Sequence, residues 1–210
     1  ADRFKGKRFN APNDVCIDDR GRIYFSDPRY LGHELLELVH RSVYLIDNDG
    51  KVVEITRQVS NPNGLALNPD GDVLYVADHD NDSEEKDEKI MRIYAFSLDA
   101  NGLVVGSGKI MLDFGEDAGS DGMTVDESGN LYLTIRALRQ PGVLVVTPKG
   151  EKIAFIPTGP PGQTESDPAV GLPSNVEFGK GAEAHMLYIT VDTSLYRIPL
   201  KVKGYHRQYR

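Results

Sequence analysis

Residues 63–78 read Asn-Gly-Leu-Ala-Leu-Asn-Pro-Asp-Gly-Asp-Val-Leu-Tyr-Val-Ala-Asp, and this stretch decides the fold. It contains a leading polar residue, a short apolar run, a turn with glycine, and a second apolar run that holds a tyrosine. Similar stretches begin at Asn13, Asp121 and Asn175. The tyrosines of the four second runs are Tyr24, Tyr75, Tyr132 and Tyr188. Both markers recur every 50 to 58 residues, which indicates an internal repeat.

Each pair of runs reads as two short strands, because a glycine stands where a hairpin turn needs a positive φ. A third apolar run follows each pair, and the first three copies add a fourth run after another turn. Four antiparallel strands in roughly fifty residues are typical of one blade of a β-propeller. We therefore predict an all-β fold, a β-propeller with about four four-stranded blades. A short helical turn is expected at most in the loop at 31–40.

The composition argues against several classes of function. The chain carries 24 Lys and Arg against 32 Asp and Glu, a net charge of −8, so we expect no nucleic-acid partner and no anionic membrane surface. No run approaches the roughly eighteen consecutive apolar residues of a spanning helix. The single cysteine, Cys16, excludes a disulfide within the chain. It lies in a strand-like run, which favours a core role over a nucleophilic one.

The innermost strand of a propeller blade runs along the central channel, so the residues before these strands should ring one mouth of that channel. These residues are Asn13, Asn63, Asp121 and Asn175. The loops expected on the same face are 27–41, 78–89 and 135–142. Amide and carboxylate oxygens suit Ca²⁺ or Mg²⁺. The same residue types also close Asx turns with the backbone, so residue types and spacing leave both interpretations open.

Several motifs resemble those of one known family. Residues 8–14 read Arg-Phe-Asn-Ala-Pro-Asn-Asp, and residues 23–28 read Ile-Tyr-Phe-Ser-Asp-Pro. Further matches are 61–65 (Asn-Pro-Asn-Gly-Leu), 119–123 (Gly-Ser-Asp-Gly-Met) and 193–198 (Thr-Ser-Leu-Tyr-Arg-Ile). These motifs are similar to those of the senescence-marker-protein/gluconolactonase/luciferin-regenerating family. The resemblance covers nearly the whole chain.

The resemblance implies a six-bladed propeller that holds one divalent cation, usually Ca²⁺, and hydrolyses a small-molecule lactone. The family's metal ligands fall on Asn63 and Asp121, and Asp121 is also the implied general base. Asn13 contacts the metal or the substrate, depending on the member. We expect Asn13, Asp14 and Arg136 to bind substrate hydroxyls. The expected function is therefore metal-dependent hydrolysis of a sugar-acid lactone, as in a gluconolactonase, with a metal-activated water.

One family feature is missing from this sequence. The remaining family ligand is a glutamate in a Glu-Gly-Pro motif that opens the first blade, and no such motif occurs here. Neither Glu34 nor Glu37 occupies a position just before an innermost strand. Four repeats are present where the family has six. We therefore predict that residues 1–210 are a single domain, the C-terminal four blades of a partial propeller, and favour a fragment over a natural short homologue.

Two other functions stay open. A non-catalytic propeller can bind a ligand on its rim, and a fragment without the glutamate ligand would be inactive. Among the five histidines, His79 is the hardest to dismiss because it should face the rim, although surface histidines are the more common case. The acidic run at 78–89 lacks the central glycine and the terminal glutamate of an EF-hand loop. We interpret it as a solvated loop.

Overall fold

The computed structural model describes residues 1–80, 89–115, 117–164, 166 and 168–206. The first blade contains β3 (Val15–Ile17), β4 (Ile23–Asp27), β5 (Ser42–Ile46) and β6 (Val52–Thr56). The second contains β7 (Pro62–Leu67), β8 (Val73–Asp80), β9 (Ile90–Ser97) and β10 (Lys109–Asp113). The third contains β11 (Ser120–Val125), β12 (Leu131–Ile135), β13 (Gly142–Val146) and β14 (Lys152–Pro157). The fourth contains β15 (Pro173–Phe178), β16 (Met186–Val191) and β17 (Ser194–Pro199), and the remaining elements are β1 (Arg3–Phe4), β2 (Lys7–Arg8) and a 3₁₀-helix at Gly181–Glu183.

Each blade is an antiparallel meander whose strands follow one another in chain order. The first strands of successive blades contact each other, β3 with β7, β7 with β11 and β11 with β15. These four strands are therefore the innermost ones, and the others lie progressively further out. The predicted all-β propeller with four blades is confirmed, although the fourth blade has three strands within the described ranges. The structure describes no helix with the length and apolar character needed to cross a membrane.

Polar side chains fold the hairpin between the first and second strands of a blade. In blade 1, Oδ1 of Asp18 accepts the backbone N–H groups of Arg20 and Arg22, both at 2.9 Å. Gly21 closes this turn with a φ of 81°, which is in the left-handed region that glycine adopts without strain. Asp126 makes the same kind of contact in blade 3. The turn chemistry read from the sequence therefore produces the expected hairpins.

Apolar side chains fill the space between adjacent blades. Between blades 1 and 2 the buried cluster includes Tyr24, Leu45, Leu74 and Phe96. Between blades 2 and 3 it includes Tyr75, Leu131 and Leu133, and between blades 3 and 4 it includes Tyr132, Phe178 and Leu187. Cys16 is partly buried against the first cluster, in keeping with a packing role. Three of the four repeated tyrosines, Tyr24, Tyr75 and Tyr132, are thus part of the contact that holds one blade to the next.

The other face of blade 1 is covered by the N-terminal segment. Phe4 and Phe9 each meet the ring of Tyr44 edge-on, with centroids 5.1 Å apart in both pairs. Phe9 also meets Phe25 edge-on at 5.0 Å. The β1–β2 hairpin is too short to carry a periodic apolar pattern. No sequence pattern predicts this hairpin, and its position depends on the aromatic cluster.

The helical turn considered for residues 31–40 does not form. The side chains of Leu31, Leu35 and Val39 are between 80% and 91% exposed. A single helical turn is unstable in water unless it buries an apolar face. Because this segment buries so little of its apolar surface, it remains an irregular loop.

The loop expected at 78–89 begins later than its sequence indicates. β8 continues through Asp80, which pairs with Ile90 at the start of β9. Residues 81–88, which carry most of the acidic run, lie outside the described residues. The rim on this side therefore starts beyond a long, paired hairpin stem.

Strand register corrects the alignment of the fourth repeat. The residues paired with the repeated tyrosines are Cys16, Ala66, Thr124 and Glu177. Three positions before them lie Asn13, Asn63, Asp121 and Ser174, which we call the mouth row. The next position inward holds Asp14, Gly64, Gly122 and Asn175, which we call the inner row. The placement of Asn175 with Asn63 is therefore wrong, because pairing with Tyr188, not residue type, sets the register.

A central cavity of about 590 Å³ lies between the innermost strands. Its wall includes Asp14 and Asn175 of the inner row, and Leu65, Met123 and Val176 deeper along the strands. The mouth row precedes these residues in each strand. Asn63 and Asp121 therefore lie just before the lining residues Leu65 and Met123, at one end of the cavity.

We expect Gly64→Ala to destabilise the propeller by about 3 kcal/mol or more, because the added methyl group would lie 2.2 Å from the Asp121 carbonyl oxygen. That oxygen belongs to the backbone and cannot rotate away. Gly50→Ala is the control, since its methyl group would meet no atom within 4 Å. The φ of 78° at Gly50 still implies a strain of about 1–2 kcal/mol. Urea unfolding measures both losses, and equal values would contradict close packing at Gly64.

Candidate functional site

Two glycines of the inner row let neighbouring blades approach closely. A Cβ on Gly64 would lie 2.2 Å from the Asp121 carbonyl oxygen of the next blade. A Cβ on Gly122 would lie 2.4 Å from Oδ1 of Asn175, again on the next blade. Any larger residue would push the strands apart. Glycine at these two positions therefore brings the mouth-row side chains of blades 2 and 3 within reach of one another.

Asp121 is the only acidic residue of the mouth row. Burial raises the pKa of its carboxyl above the ordinary value, while the charges of Arg136 and His79 and a hydrogen bond from Asn63 pull the pKa down. Nε of Arg136 lies 3.8 Å from Oδ2 of Asp121, an ion-pair distance without a close hydrogen bond. The carboxylate is thus partly buried and incompletely neutralised.

Asn63 is buried, with 5% of its surface exposed. Its side-chain amide lies beside the Asp121 carboxyl and the Tyr30 hydroxyl and lowers the pKa of both groups. The structure therefore brings together the two residues that the sequence singled out as metal ligands. Arg136, from the rim loop of blade 3, joins them through Asp121 and also donates from Nη1 to the Pro173 carbonyl at 3.2 Å.

Asp14 lies one position further in and links two blades. Its Oδ2 accepts the N–H of Leu65 at 2.8 Å, and its Oδ1 accepts the N–H of Val15 at 2.9 Å. Burial raises the pKa of the Asp14 carboxyl, and the nearby charges of Asp121 and Glu177 raise it further against these hydrogen bonds. Both oxygens already have backbone donors. A role in substrate binding remains a prediction.

Asn13 is set apart from this cluster. Its side chain is exposed, and its backbone N–H donates to the Ser26 carbonyl at 3.0 Å. No hydrogen bond joins Asn13 to Asn63 or to Asp121. Its proposed contact with metal or substrate therefore has no support from an existing interaction and remains a prediction.

Tyr30 and His79 pack together beside Asn63. The Tyr30 hydroxyl donates to the carbonyl oxygen of Asn61 at 3.1 Å, and the Tyr30 ring meets the His79 ring edge-on at 6.3 Å. Nδ1 of His79 lies 3.2 Å from the Ser120 carbonyl, next to Asp121. His79 was expected at the rim, and the structure places it beside the site. Tyr30 lies in a rim loop without a periodic pattern, so nothing in the sequence distinguished it.

The side chains of Asn63 and Asp121 offer amide and carboxylate oxygens, which are the type of ligand that a hard cation such as Ca²⁺ prefers. Across the described ranges, no three His, Cys, Asp or Glu side chains converge in a way that can hold a metal ion. The contact between Asn63 and Asp121 supplies one amide and one carboxylate. Ca²⁺ takes six to eight oxygen ligands, so further oxygens are needed. Glu34 and Glu37 are paired with Arg29 and Arg8 instead.

The propeller and its mouth can now be compared with known proteins. A family model described as SMP-30/Gluconolactonase/LRE-like region matches residues 1–193. The chain belongs to this family. A gluconolactonase from Zymomonas mobilis is 33% identical over 215 residues, which cover 97% of this chain and 54% of that protein. The chain thus spans about half the length of this relative.

Solved structures of the same fold extend the comparison. A gluconolactonase from Xanthomonas campestris has a TM-score of 0.76 and 29% identity, covering 95% of this chain and 60% of that chain. Its description calls it important in glucose secondary metabolic pathways. A calcium-binding protein, regucalcin, from Agrobacterium tumefaciens has a TM-score of 0.69 and 20% identity, covering 94% and 64%. At that identity the likeness shows the fold alone.

Asp121→Asn is expected to raise the stability of the metal-free protein at pH 7. The folded state holds the pKa of the Asp121 carboxyl above its ordinary value of 3.8. Wild type therefore loses stability as pH rises through the folded-state pKa, whereas the neutral amide does not. The advantage of the variant should vanish below the unfolded-state value, where the carboxyl is protonated in both states. Urea unfolding across a pH series measures this difference.

Asp113→Asn is the matched control with the opposite sign. A hydrogen bond from the Gly115 N–H and the interaction with Arg92 lower the pKa of the exposed Asp113 carboxyl. Its removal should therefore reduce stability at neutral pH and leave stability unchanged at low pH. If the two variants shift stability in the same direction, the electrostatic description of Asp121 is wrong.

Proposed function

We propose that the full-length protein hydrolyses a sugar-acid lactone in a metal-dependent reaction, as a gluconolactonase does. The proposal is carried by one observation, the position of Asn63 and Asp121 side by side at one end of the strands that line the central cavity. It is supported by membership in the family and by the 33% identity to a gluconolactonase. Activity, substrate and partners of the whole protein are part of the proposal.

Asn63 and Asp121 would hold the cation through amide and carboxylate oxygens, with Asn13 as a further candidate ligand. A divalent cation supplies Lewis-acid polarisation of the lactone carbonyl and of water. Ca²⁺ is the proposed ion because it prefers hard oxygen donors such as these amide and carboxylate groups.

Asp121 is proposed to act as the general base. Its carboxylate oxygens can accept a proton, and burial raises the pKa of the carboxyl in the metal-free protein. The carboxylate takes the proton of the attacking water while the water oxygen bonds to the lactone carbonyl carbon. The ring C–O bond then breaks and its oxygen takes up a proton. The products are one carboxylic acid and one hydroxyl on the same molecule.

Substrate hydroxyls are proposed to bind to Asn13, Asp14 and Arg136. The Arg136 guanidinium donates one hydrogen bond to the Pro173 carbonyl, and its Nε lies 3.8 Å from Oδ2 of Asp121. Because a guanidinium has five N–H groups, others remain to bind a ligand. The charge of Arg136 pulls the pKa of the Asp121 carboxyl down, against the effect of burial.

A second candidate function is that of a non-catalytic propeller that binds a ligand at its rim. A related possibility is that the chain is inactive because it lacks the glutamate that would complete the metal ligands. One observation favours it: the mouth row of the four blades holds a single carboxylate, with Asn13, Asn63 and Ser174 at the other positions. A family glutamate that completes the ligands has no counterpart in this sequence. Measurement of hydrolysis in the full-length protein separates the two.

Asp121→Ala in the full-length protein should abolish Ca²⁺ binding and lower lactone hydrolysis by about 10²-fold or more, because one residue supplies both a ligand and the base. A panel of sugar-acid lactones, assayed with Ca²⁺ and after chelation, measures hydrolysis, and calorimetry measures binding. Activity retained in this variant would refute the assignment of the base.

Arg136→Ala should raise KM about tenfold, since a hydrogen bond to a charged group contributes about 1.5–3 kcal/mol. Arg139, three residues further along the same rim loop, is exposed and provides the matched control. We expect Arg139→Ala to leave both KM and kcat unchanged. Equal effects of the two variants would show that only the net charge of the rim matters.

A further inference from the structure

The strand that carries Asp121 is irregular at that residue. The register of β11 on β12 shifts by one residue between Ser120 and Met123. Asp121 and Gly122 therefore both lie opposite one residue of β12, Thr134, which is the arrangement of a β-bulge. A bulge bends its strand and changes the direction of the side chains, and bulges are common beside functional sites. The direction of the Asp121 side chain thus depends on how this bulge is held.

The same irregularity recurs at the equivalent place in two other blades. In β7, Asn63 and Gly64 both lie opposite Ala77. In β15 the register shifts at Ser174. Both candidate metal ligands, Asn63 and Asp121, are therefore part of a bulge at the same point of their blades. The repetition shows that the bulge is a regular feature of these innermost strands.

A hydroxyl side chain of the second strand faces the inner row in three of the four blades. In blade 1, Oγ of Ser26 accepts the backbone N–H of Asp14 at 3.0 Å. In blade 4, Oγ1 of Thr190 accepts the backbone N–H of Asn175 at 2.9 Å. Blade 2 has Ala77 at this position. A bulge disrupts the ladder of hydrogen bonds between strands, and these hydroxyls supply partners to the backbone groups beside it.

Thr134 fills this position in blade 3, where it is completely buried. Its hydroxyl donates to the Gly122 carbonyl at 2.9 Å, an ordinary length for such a bond. A hydroxyl has one hydrogen, so the Ser174 carbonyl of blade 4, at 3.4 Å, is the weaker acceptor. The Ser120 hydroxyl also approaches the Gly122 carbonyl, but at 3.3 Å. Thr134 therefore makes the shortest side-chain contact to the residue that follows Asp121 in the bulge.

Packing confines this bulge from both neighbouring blades. The Asp121 carbonyl lies against Gly64 of blade 2, and Gly122 lies against Asn175 of blade 4. These contacts limit how far the strand can move, but van der Waals contact is not directional. A hydrogen bond is directional. The bond from Thr134 is therefore the contact that fixes the shape of the bulge.

We propose that Thr134 is a positioning residue, whose hydroxyl holds the bulge of β11 in the shape that sets the direction of the Asp121 carboxylate. The inference rests on the proposed function, because it needs Asp121 to be a metal ligand. The Thr134 hydroxyl is bonded to the backbone, so Thr134 acts through Asp121 and not as a ligand. Residues that orient a metal ligand commonly contribute about 10- to 100-fold to metal affinity.

Calorimetric titration of the full-length protein with Ca²⁺ tests the proposal. Thr134→Val keeps the branched shape but removes the donor to a buried carbonyl, so we expect Kd for Ca²⁺ to rise about tenfold or more. Thr134→Ser restores a hydroxyl and should keep Kd within about threefold of wild type. Thr158→Val is the matched control, because Thr158 is also buried and its hydroxyl donates to the Gly171 carbonyl at 2.6 Å. We expect this control to leave Kd unchanged.

Amide hydrogen exchange of the metal-free protein gives a readout that needs no bound ion. Exchange at residues 120–123 should be about tenfold faster in Thr134→Val than in wild type, because the bulge opens locally more often. Thr134→Ser and Thr158→Val should exchange there at the wild-type rate. Thr134→Ala, which places no methyl group against the carbonyl, replaces Thr134→Val if that variant does not fold.

The outcomes separate this inference from the proposed function. Unchanged exchange at residues 120–123 overturns the anchoring by Thr134, whether or not Ca²⁺ binds. Faster exchange with an unchanged Kd overturns the positioning role and leaves the proposed function intact. An equal rise of Kd in Thr134→Val and in Thr158→Val does the same. A wild-type protein that binds no Ca²⁺ overturns the proposed function, and the positioning role with it.

Discussion

The candidate site depends on how closely the first strands of neighbouring blades can pack. Gly64 lies so near the Asp121 carbonyl that even a methyl group has no space, and Gly122 is equally close to Asn175. This contact sets the distance between the mouth-row side chains of blades 2 and 3. The hairpin turns, the tyrosine clusters between blades and the central cavity all serve the same arrangement. They hold four innermost strands side by side around one axis.

The buried acids of this region differ in how their charge is stabilised. Asp78 accepts hydrogen bonds from Ser60 Oγ and from the backbone N–H groups of Ser60 and Asn61. Asp14 accepts two backbone N–H groups. Asp121 has the Asn63 amide and a guanidinium at 3.8 Å. The oxygens of Asp78 and Asp14 thus stabilise the fold, whereas Asp121 retains more capacity to accept a proton or a ligand.

Much of the fold was readable from the sequence because the repeat has two markers, a leading polar residue and a tyrosine in the second strand. The contact between Asn63 and Asp121 followed from the repeat together with the family resemblance. The fourth repeat was misaligned by one residue because Asn175 matches Asn63 in type, while the pairing of Glu177 with Tyr188 places Ser174 there. Tyr30 was missed because loops carry no period, and its position beside Asn63 comes from a contact with another blade.

The inner row also makes the four blades different from one another. Gly64 and Gly122 each lie against a group of the following blade, whereas Asp14 and Asn175 carry side chains at the equivalent position. The four units are therefore alike in outline but not interchangeable. A copy with a side chain at this point cannot replace one with glycine without a steric clash.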